Sequence, residues 1–192
     1  TLHCSSAASD VYKRQALLSR KINDLHGKTL GIIGKGSIGM KVGRIAKVFG
    51  MNINYFSVRN YKKTQFLKFL SSLDYLSLHC PLNEKTKDLI TIKELKIMRK
   101  NMILINTARG GIVNENDLTK ALKQKIIAGA GIDVTTSEPP KKSHAYYSIL
   151  NEANFIWTPH TAWASNETLQ EAINQLIKNI NSFYKGKKRN IV

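Results

Sequence analysis

The sequence predicts an α/β fold in which a doubly wound parallel sheet carries helices on both faces. Three observations lead there. From Lys28 onward, short apolar runs alternate with amphipathic stretches. A glycine-rich turn, G-K-G-S-I-G, joins the first apolar run to the first amphipathic stretch. Polar residues gather directly after the later apolar runs. Alternating strands and helices require parallel strands with right-handed crossovers. A chain of 192 residues is long enough to bury one such core.

Each element has a local reason. "KTLGIIG" is a short apolar run ending in glycine, which predicts a buried strand. "MKVGRIAKVFG" sets Val42, Ile45, Ala46 and Phe49 at helical spacing, and Gly50 stops that helix. "NINYF" predicts a second strand and "TQFLKFLSS" a short amphipathic helix. "DYLSLHC" is a third strand, closed by Pro81. Thr91 with Glu94 three residues on is a capping box, so a helix opens there. "MILINTA" is a strand, and "NENDLTKALKQ" a helix capped by Asn114. "IIAGAGIDV" and "NFIWTP" complete the strands. A final helix runs from about Asn166 to Tyr184, with Leu169, Ala172, Ile173, Leu176, Ile177, Ile180 and Phe183 on one stripe and Gly186 as its stop. Residues 1–15 show no apolar period and are read as a foreign or mistranslated lead rather than as fold.

Composition narrows the classes. No apolar run approaches the roughly 20 residues of a membrane helix, and the start "TLHCSSAASD" does not read as a signal peptide. Cys4 and Cys80 lie far apart, against a disulfide framework or a cysteine-based zinc site, and no metal site is expected. A reducing cytoplasm is the simplest compartment. The net charge of +17 comes from lysines scattered along the chain, with one tight run at Lys185–Arg189. A solvated surface accounts for this better than a nucleic-acid face, and a positive field also draws in small anions.

The glycine turn carries the first chemistry. Gly34 allows a tight turn, Gly36 lets backbone approach a pyrophosphate, and Gly39 lets the helix pack on the strand. The helix then offers free N–H groups and a positive dipole end to phosphates. The turn follows a strand and opens a helix, the context a dinucleotide-binding site of Rossmann type needs. Such a site places an acid at the end of the second strand for the ribose 2′-hydroxyl. Ser57 stands there instead, with Arg59 just beyond. Ser57 does not repel a 2′-phosphate, and Arg59 is either its bidentate partner or a solvated loop residue. The cofactor is therefore NAD or NADP.

Three later strand ends each supply one polar group: Arg109 after "ILIN", Glu138 after "GIDV" and His160 after "FIW". A guanidinium, a carboxylate and an imidazole beside a dinucleotide suggest hydride transfer coupled to proton transfer. Arg109 suits the carboxylate of a 2-keto acid, His160 the proton transfer, and Glu138 the stabilisation of the imidazolium.

Taken together, "GKTLGIIGKGSIG", "SLHCPLNEKT", "ILINTARGGIVNENDL", "AGAGIDV", "SEPP" and "TPHTAWAS" resemble the D-isomer-specific 2-hydroxyacid dehydrogenase family, from about Leu25 to Val192. "SEPP" with "PHTAWAS" is most similar to its glycerate dehydrogenase (hydroxypyruvate reductase) branch. The resemblance implies Arg109 as substrate-binding arginine, Glu138 as partner carboxylate and His160 as acid/base. It implies Ser37 and Ile38 at the phosphate turn, Asp133 on the nicotinamide side, and Cys80, Pro81, Thr107 and Ala108 lining the cofactor. Trp163 is either a wall of the substrate pocket or a core aromatic.

Two departures accompany the resemblance. Ser57 replaces the Asp of NAD-preferring members, and the connection from Ser57 to Asp74 is short. The family also carries roughly a hundred further N-terminal residues as a flavodoxin-like substrate domain, which this sequence lacks. The expected organisation is thus a lead (1–15), a dinucleotide-binding domain (16–162) opening with an interdomain helix near Ala16–Asn23, and a C-terminal helix and tail (163–192) that belong with the absent substrate domain. The expected activity interconverts hydroxypyruvate or glyoxylate with D-glycerate or glycolate, weakly in the fragment alone. The expected partners are a small anionic 2-keto or 2-hydroxy acid and a second copy in a homodimer, with neither nucleic acid nor membrane. A dinucleotide-sensing module like the family's corepressors is the alternative.

Overall fold

The computed structural model describes residues 23–60 and 62–190. The expected lead and nearly all of the interdomain helix lie outside the described residues. Six strands form one parallel sheet in the order β2-β1-β3-β4-β5-β6. They are β1 (Thr29–Ile33), β2 (Asn52–Phe56), β3 (Tyr75–Leu78), β4 (Ile103–Asn106), β5 (Gly129–Ile132) and β6 (Phe155–Trp157). Leu30 pairs with Ile53 on one side and with Tyr75 on the other. Strand order therefore reverses between β1 and β3. That reversal opens a crevice at the carboxyl ends of the strands, where ligands of open α/β sheets bind.

The helices are α1 (Ser37–Val48), α2 (Lys63–Ser71), α3 (Ile92–Ile97), α4 (Glu115–Lys123) and α5 (Asn166–Tyr184). Short 3₁₀ turns span Val58–Asn60 and Ala145–Ile149. The larger core joins Ile33, Leu76, Leu78, Leu104 and Ile132 of the sheet to Phe66 and Leu70 of α2 and Leu118 and Leu122 of α4. Phe66 is fully buried, so truncation to Ala costs about 3–5 kcal/mol. A smaller cluster of Leu30, Ile32, Ala46 and Met51 packs under α1.

Helix α1 is rotated relative to its apolar spacing. Ala46 is buried, but Ile45 and Phe49 are 60% and 59% exposed. The seated face is made by Gly39, Gly43 and Ala46. A Cβ at Gly39 would lie 2.2 Å from the Gly34 carbonyl oxygen, so glycine lets this helix close on the strand. Helix α5 follows the predicted span, yet none of its residues is buried. Arg189 and Asn190 of the tail bond back to its polar side at Gln175 and Asn179.

The opposite, amino edge of the sheet is held by Asp74. Its carboxylate accepts from the Thr29 amide (2.9 Å), the Arg99 guanidinium (3.1 Å) and the Asn101 amide (3.1 Å). Burial alone would push this carboxyl up, but these bonds and the Arg99 charge outweigh it and hold it below its ordinary value.

Candidate active site

The β1–α1 turn lies at the strand-order reversal. Gly34 takes φ +104°, and a Cβ there would lie 2.4 Å from the His79 carbonyl oxygen at the end of β3. Its glycine is thus demanded by the fold. Gly36 differs: its φ is −83°, and a Cβ there meets nothing within 4 Å. No internal contact explains this glycine, so the open space above it fits close approach by a ligand. Gly36 also forms the N-cap of α1 without any side-chain bond, and no acid sits in the first turn. By contrast α3, α4 and α5 are capped by Thr91, Asn114 and Ser165. The amino end of α1, with Ser37 and Ile38 exposed, keeps its N–H donors for an anion. Lys35 adds a cation in the same turn, its ammonium 5.4 Å from the Tyr55 ring centroid.

Beyond β2, Ser57 is exposed, and its hydroxyl accepts from the Arg59 amide at 3.4 Å. Arg59 is exposed in the following 3₁₀ turn. At the end of β3, Cys80 is buried in the core, and burial pushes its thiol up. Pro81 is exposed beside it.

The β4 loop is fixed by buried Asn106, whose side-chain amide donates to the Arg109 carbonyl (3.0 Å) and whose oxygen accepts from the Ala108 amide (3.1 Å). Thr107 and Arg109 are exposed, and the Arg109 guanidinium rests on the Ala108 carbonyl at 2.7 Å. Gly110 lies against the Thr135 backbone, where a Cβ would be 2.0 Å away. That close approach joins the arginine loop to the loop carrying Glu138.

At the far end, His160 Nδ1 lies 2.6 Å from Glu138 Oε2, and Glu138 Oε1 accepts from the Thr135 amide at 3.1 Å. The bond to His160 is the main cause holding the Glu138 carboxyl below its ordinary value; the Thr135 amide and the charges of His160 and Arg109 add to it. An ionised Glu138 accepts from protonated Nδ1, which leaves Nε2 as the ring atom for proton exchange. His160 has φ +53°, an uncommon conformation for a residue with a Cβ. The next two amides, Thr161 and Ala162, both donate to Asp133 at 2.9 Å, and the Thr158 hydroxyl donates to the same carboxylate. Burial would raise the Asp133 carboxyl, but these three donors and the nearby His160 charge hold it low. Asp133 thus sets the backbone that presents His160.

A cavity of about 630 Å³ opens at this pair. Asp133, Glu138 and His160 line it, and Tyr147, Leu150 and Trp157 form an apolar wall. Arg109 stands on the same rim outside that lining, and Trp163 is exposed and also outside it. Four residues carry more of the site than sequence reasoning assigned them. Thr158 and Thr161 flank His160 and secure Asp133. Glu115 accepts from the Thr136 amide (2.7 Å) and pairs with His144 (2.8 Å), bracing the Glu138 loop from below. Polar residues flanking "PH" were the available signal for the threonines; the Glu115–His144 pair spans 29 positions and had none. Among the described residues no cluster of His, Cys, Asp or Glu fits a metal ion, and no helix is long and apolar enough to cross a membrane.

A glycine turn at the switch point, an uncapped helix and an acid/base pair on the same rim define a dinucleotide-binding α/β domain. Residues 3–162 match the model of the D-isomer specific 2-hydroxyacid dehydrogenase, NAD binding domain. The chain belongs to this family. It is 43% identical over 175 residues to a glycerate dehydrogenase of Methylorubrum extorquens, covering 89% of this chain and 54% of that protein. A glyoxylate reductase of Thermococcus litoralis is 40% identical over 173 residues, covering 84% of this chain and 50% of the relative. The chain therefore spans about half the length of the curated relatives it matches. Among solved structures, an NAD-complexed D-isomer specific 2-hydroxyacid dehydrogenase from Lactobacillus delbrueckii ssp. bulgaricus superposes with a TM-score of 0.82 at 28% identity, covering 95% of this chain and 63% of that one. An acyclic imino acid reductase in complex with NADPH and D-Arg gives 0.78 at 31% identity, covering 97% and 62%.

Proposed function

We propose that this domain holds NAD or NADP and, with a substrate-holding domain, interconverts a 2-keto acid and a D-2-hydroxy acid, hydroxypyruvate or glyoxylate with glycerate or glycolate. The observation that carries the reading is the 2.6 Å His160–Glu138 pair on the rim shared with Arg109 and the glycine turn. The similarity to a glycerate dehydrogenase and a glyoxylate reductase supports the substrate class.

Gly34, Gly36 and Gly39, with the first turn of α1, hold the pyrophosphate. When bound, the nicotinamide supplies the hydride for the carbonyl carbon. His160 Nε2 gives a proton to the carbonyl oxygen, so ketone, hydride and proton become the alcohol. Glu138 stabilises the imidazolium before transfer and fixes the tautomer after it. Arg109 leaves the Ala108 carbonyl to pair with the substrate carboxylate, a bidentate match. In oxidation His160 is the base. The exposed apolar stripe of α5 belongs against the substrate domain, and a homodimer in a reducing cytoplasm completes the reading.

The test is His160→Ala in a chain carrying the substrate domain. Reduction of hydroxypyruvate and glyoxylate should fall by about 10²–10⁴-fold, with NADH affinity kept. Turnover within threefold of the unmodified protein, measured under the same assay, would reject His160 as the proton donor.

A further inference from the structure

Two side chains outside the cavity stand behind the acid/base pair. Glu115 opens α4, soon after the arginine loop, and His144 caps the 3₁₀ turn Ala145–Ile149. Neither lines the cavity at His160, so neither is placed to touch a ligand there. Their side chains are only 12% and 8% exposed. A carboxylate that deep is costly unless its oxygens are bonded. Glu115 accepts from the Thr136 amide (2.7 Å), the Thr136 hydroxyl (2.8 Å) and His144 Nε2 (2.8 Å). It also lies in the first turn of α4, where the helix dipole favours a negative charge.

The pair reaches both carriers of the chemistry. On one side, Thr136 belongs to the loop of Glu138, and its neighbour Thr135 gives its amide to Glu138 Oε1 at 3.1 Å. On the other side, the His144 ring stacks on Trp157 with 5.6 Å between centroids. Trp157 ends β6, and the chain runs from it through Thr158 and Pro159 to His160. Buried Tyr146 packs against the same indole in a T-shape at 5.5 Å. His144 Nδ1 accepts from the Tyr146 amide at 3.3 Å, so Nε2 carries the ring proton and donates to Glu115. A neutral imidazole thus completes both bonds and keeps one orientation. The loop of Glu138 and the strand end of His160 are tied to one joint.

We propose that Glu115 and His144 are positioning residues for the proton transfer. They hold the Glu138 loop and the His160 strand end at the separation that gives the 2.6 Å contact between Nδ1 and Oε2. That contact keeps the proton of a neutral His160 ring on Nδ1 and leaves Nε2 to exchange with substrate. Without the pair, the Glu138 loop loses its tie to α4 and Trp157 loses a stacking partner. The Nδ1–carboxylate bond then loosens, and His160 drifts toward a mixture of tautomers. The inference rests on the His160–Glu138 reading above and adds the residues that set its geometry.

The experiment reads histidine tautomers from ring nitrogen-15 chemical shifts in the 192-residue chain, which has five histidines to resolve. The His160 signals are identified by their loss in His160→Ala. Spectra at about pH 8, above the ordinary imidazole range, compare the unmodified chain with Glu115→Ala, His144→Ala and His144→Gln, with melting temperature as the folding control. In the unmodified chain the Nδ1-protonated form of His160 should exceed the other by at least about tenfold, because it alone donates to a carboxylate. That ratio should fall by about tenfold in Glu115→Ala and about threefold in His144→Ala. His144→Gln, whose amide can still donate to Glu115, should stay within about twofold of the unmodified chain. A lower melting temperature with the ratio unchanged is what a merely structural role gives, and it overturns the proposal. If Glu115→Ala does not fold, the His144 variants decide: a fall in Ala that Gln restores supports the pair, and equal ratios overturn it. A folded unmodified chain with the His160 proton on Nε2 overturns the acid/base pairing itself.

Discussion

The two ends of the sheet's carboxyl rim are built in opposite ways. At the β1–β2 end, α1 begins at Gly36 with no side-chain cap, Ser37 and Ile38 are exposed, and Arg59 is exposed without an ion-pair partner among the described residues. At the β5–β6 end, Asp133 receives three donors, Glu138 holds two, and His160 is placed by both. One end leaves donors unspent and the other spends nearly all of them. Binding a polyanion needs free N–H groups and cations. Moving one proton needs a side chain already locked in place, because misplacement is costly in rate. The difference separates the end that holds a ligand from the end that acts on it.

The contrast can be broken at named positions. The largest effect is expected for Gly34→Val. A Cβ there collides with the His79 carbonyl at φ +104°, so the chain should lose its cooperative melting transition or fall by more than about 3 kcal/mol. An unchanged melting temperature would show that the turn is not tied to β3. Next is Glu138→Gln, measured in a chain with its substrate domain. It should lower turnover on the order of 10²-fold at unchanged NADH affinity, and equal loss of both would mark Glu138 as merely structural.

A smaller effect is expected from acid. Asp74 and Asp133 are both held below their ordinary value of 3.8 in the folded state. The native state therefore binds fewer protons than the unfolded chain. The stabilisation is full above that ordinary value and is lost as pH falls through the lower folded values. Melting temperature should drop steeply below about pH 4, and Asp74→Asn should start about 1–3 kcal/mol less stable at neutral pH with a shallower acid slope. Parallel acid profiles for the two proteins would contradict this assignment.

Much of this fold was readable because its signals are local. Thr91 with Glu94, Asn114 ahead of α4 and Gly34 after β1 each act within a few residues, and all sit where the sequence predicts them. The strand-end positions of Arg109, Glu138 and His160 also follow from counting strands. What was not readable depends on convergence. Asp133 becomes a backbone anchor only because the chain from Thr158 to Ala162, some 25–29 positions later, curls over it. The positive φ of His160 belongs to that curl and not to any residue type. Gly39 and Ala46 on the seated face of α1 were expected, but Gly43 escaped the apolar spacing, because a hydrophobic pattern does not score an absent side chain.

Gly36 tests the central claim most directly, because nothing in the protein requires it to be glycine. Gly36→Val should keep a cooperative transition and lose no more than about 1–2 kcal/mol, the cost of replacing a glycine N-cap, since a Cβ there meets nothing within 4 Å. Titrated with NADH, the unmodified chain should bind, and the variant should bind at least about tenfold more weakly, because the side chain stands where the pyrophosphate approaches the backbone. Equal NADH affinity in the two proteins would contradict the assignment of this turn as the cofactor cradle.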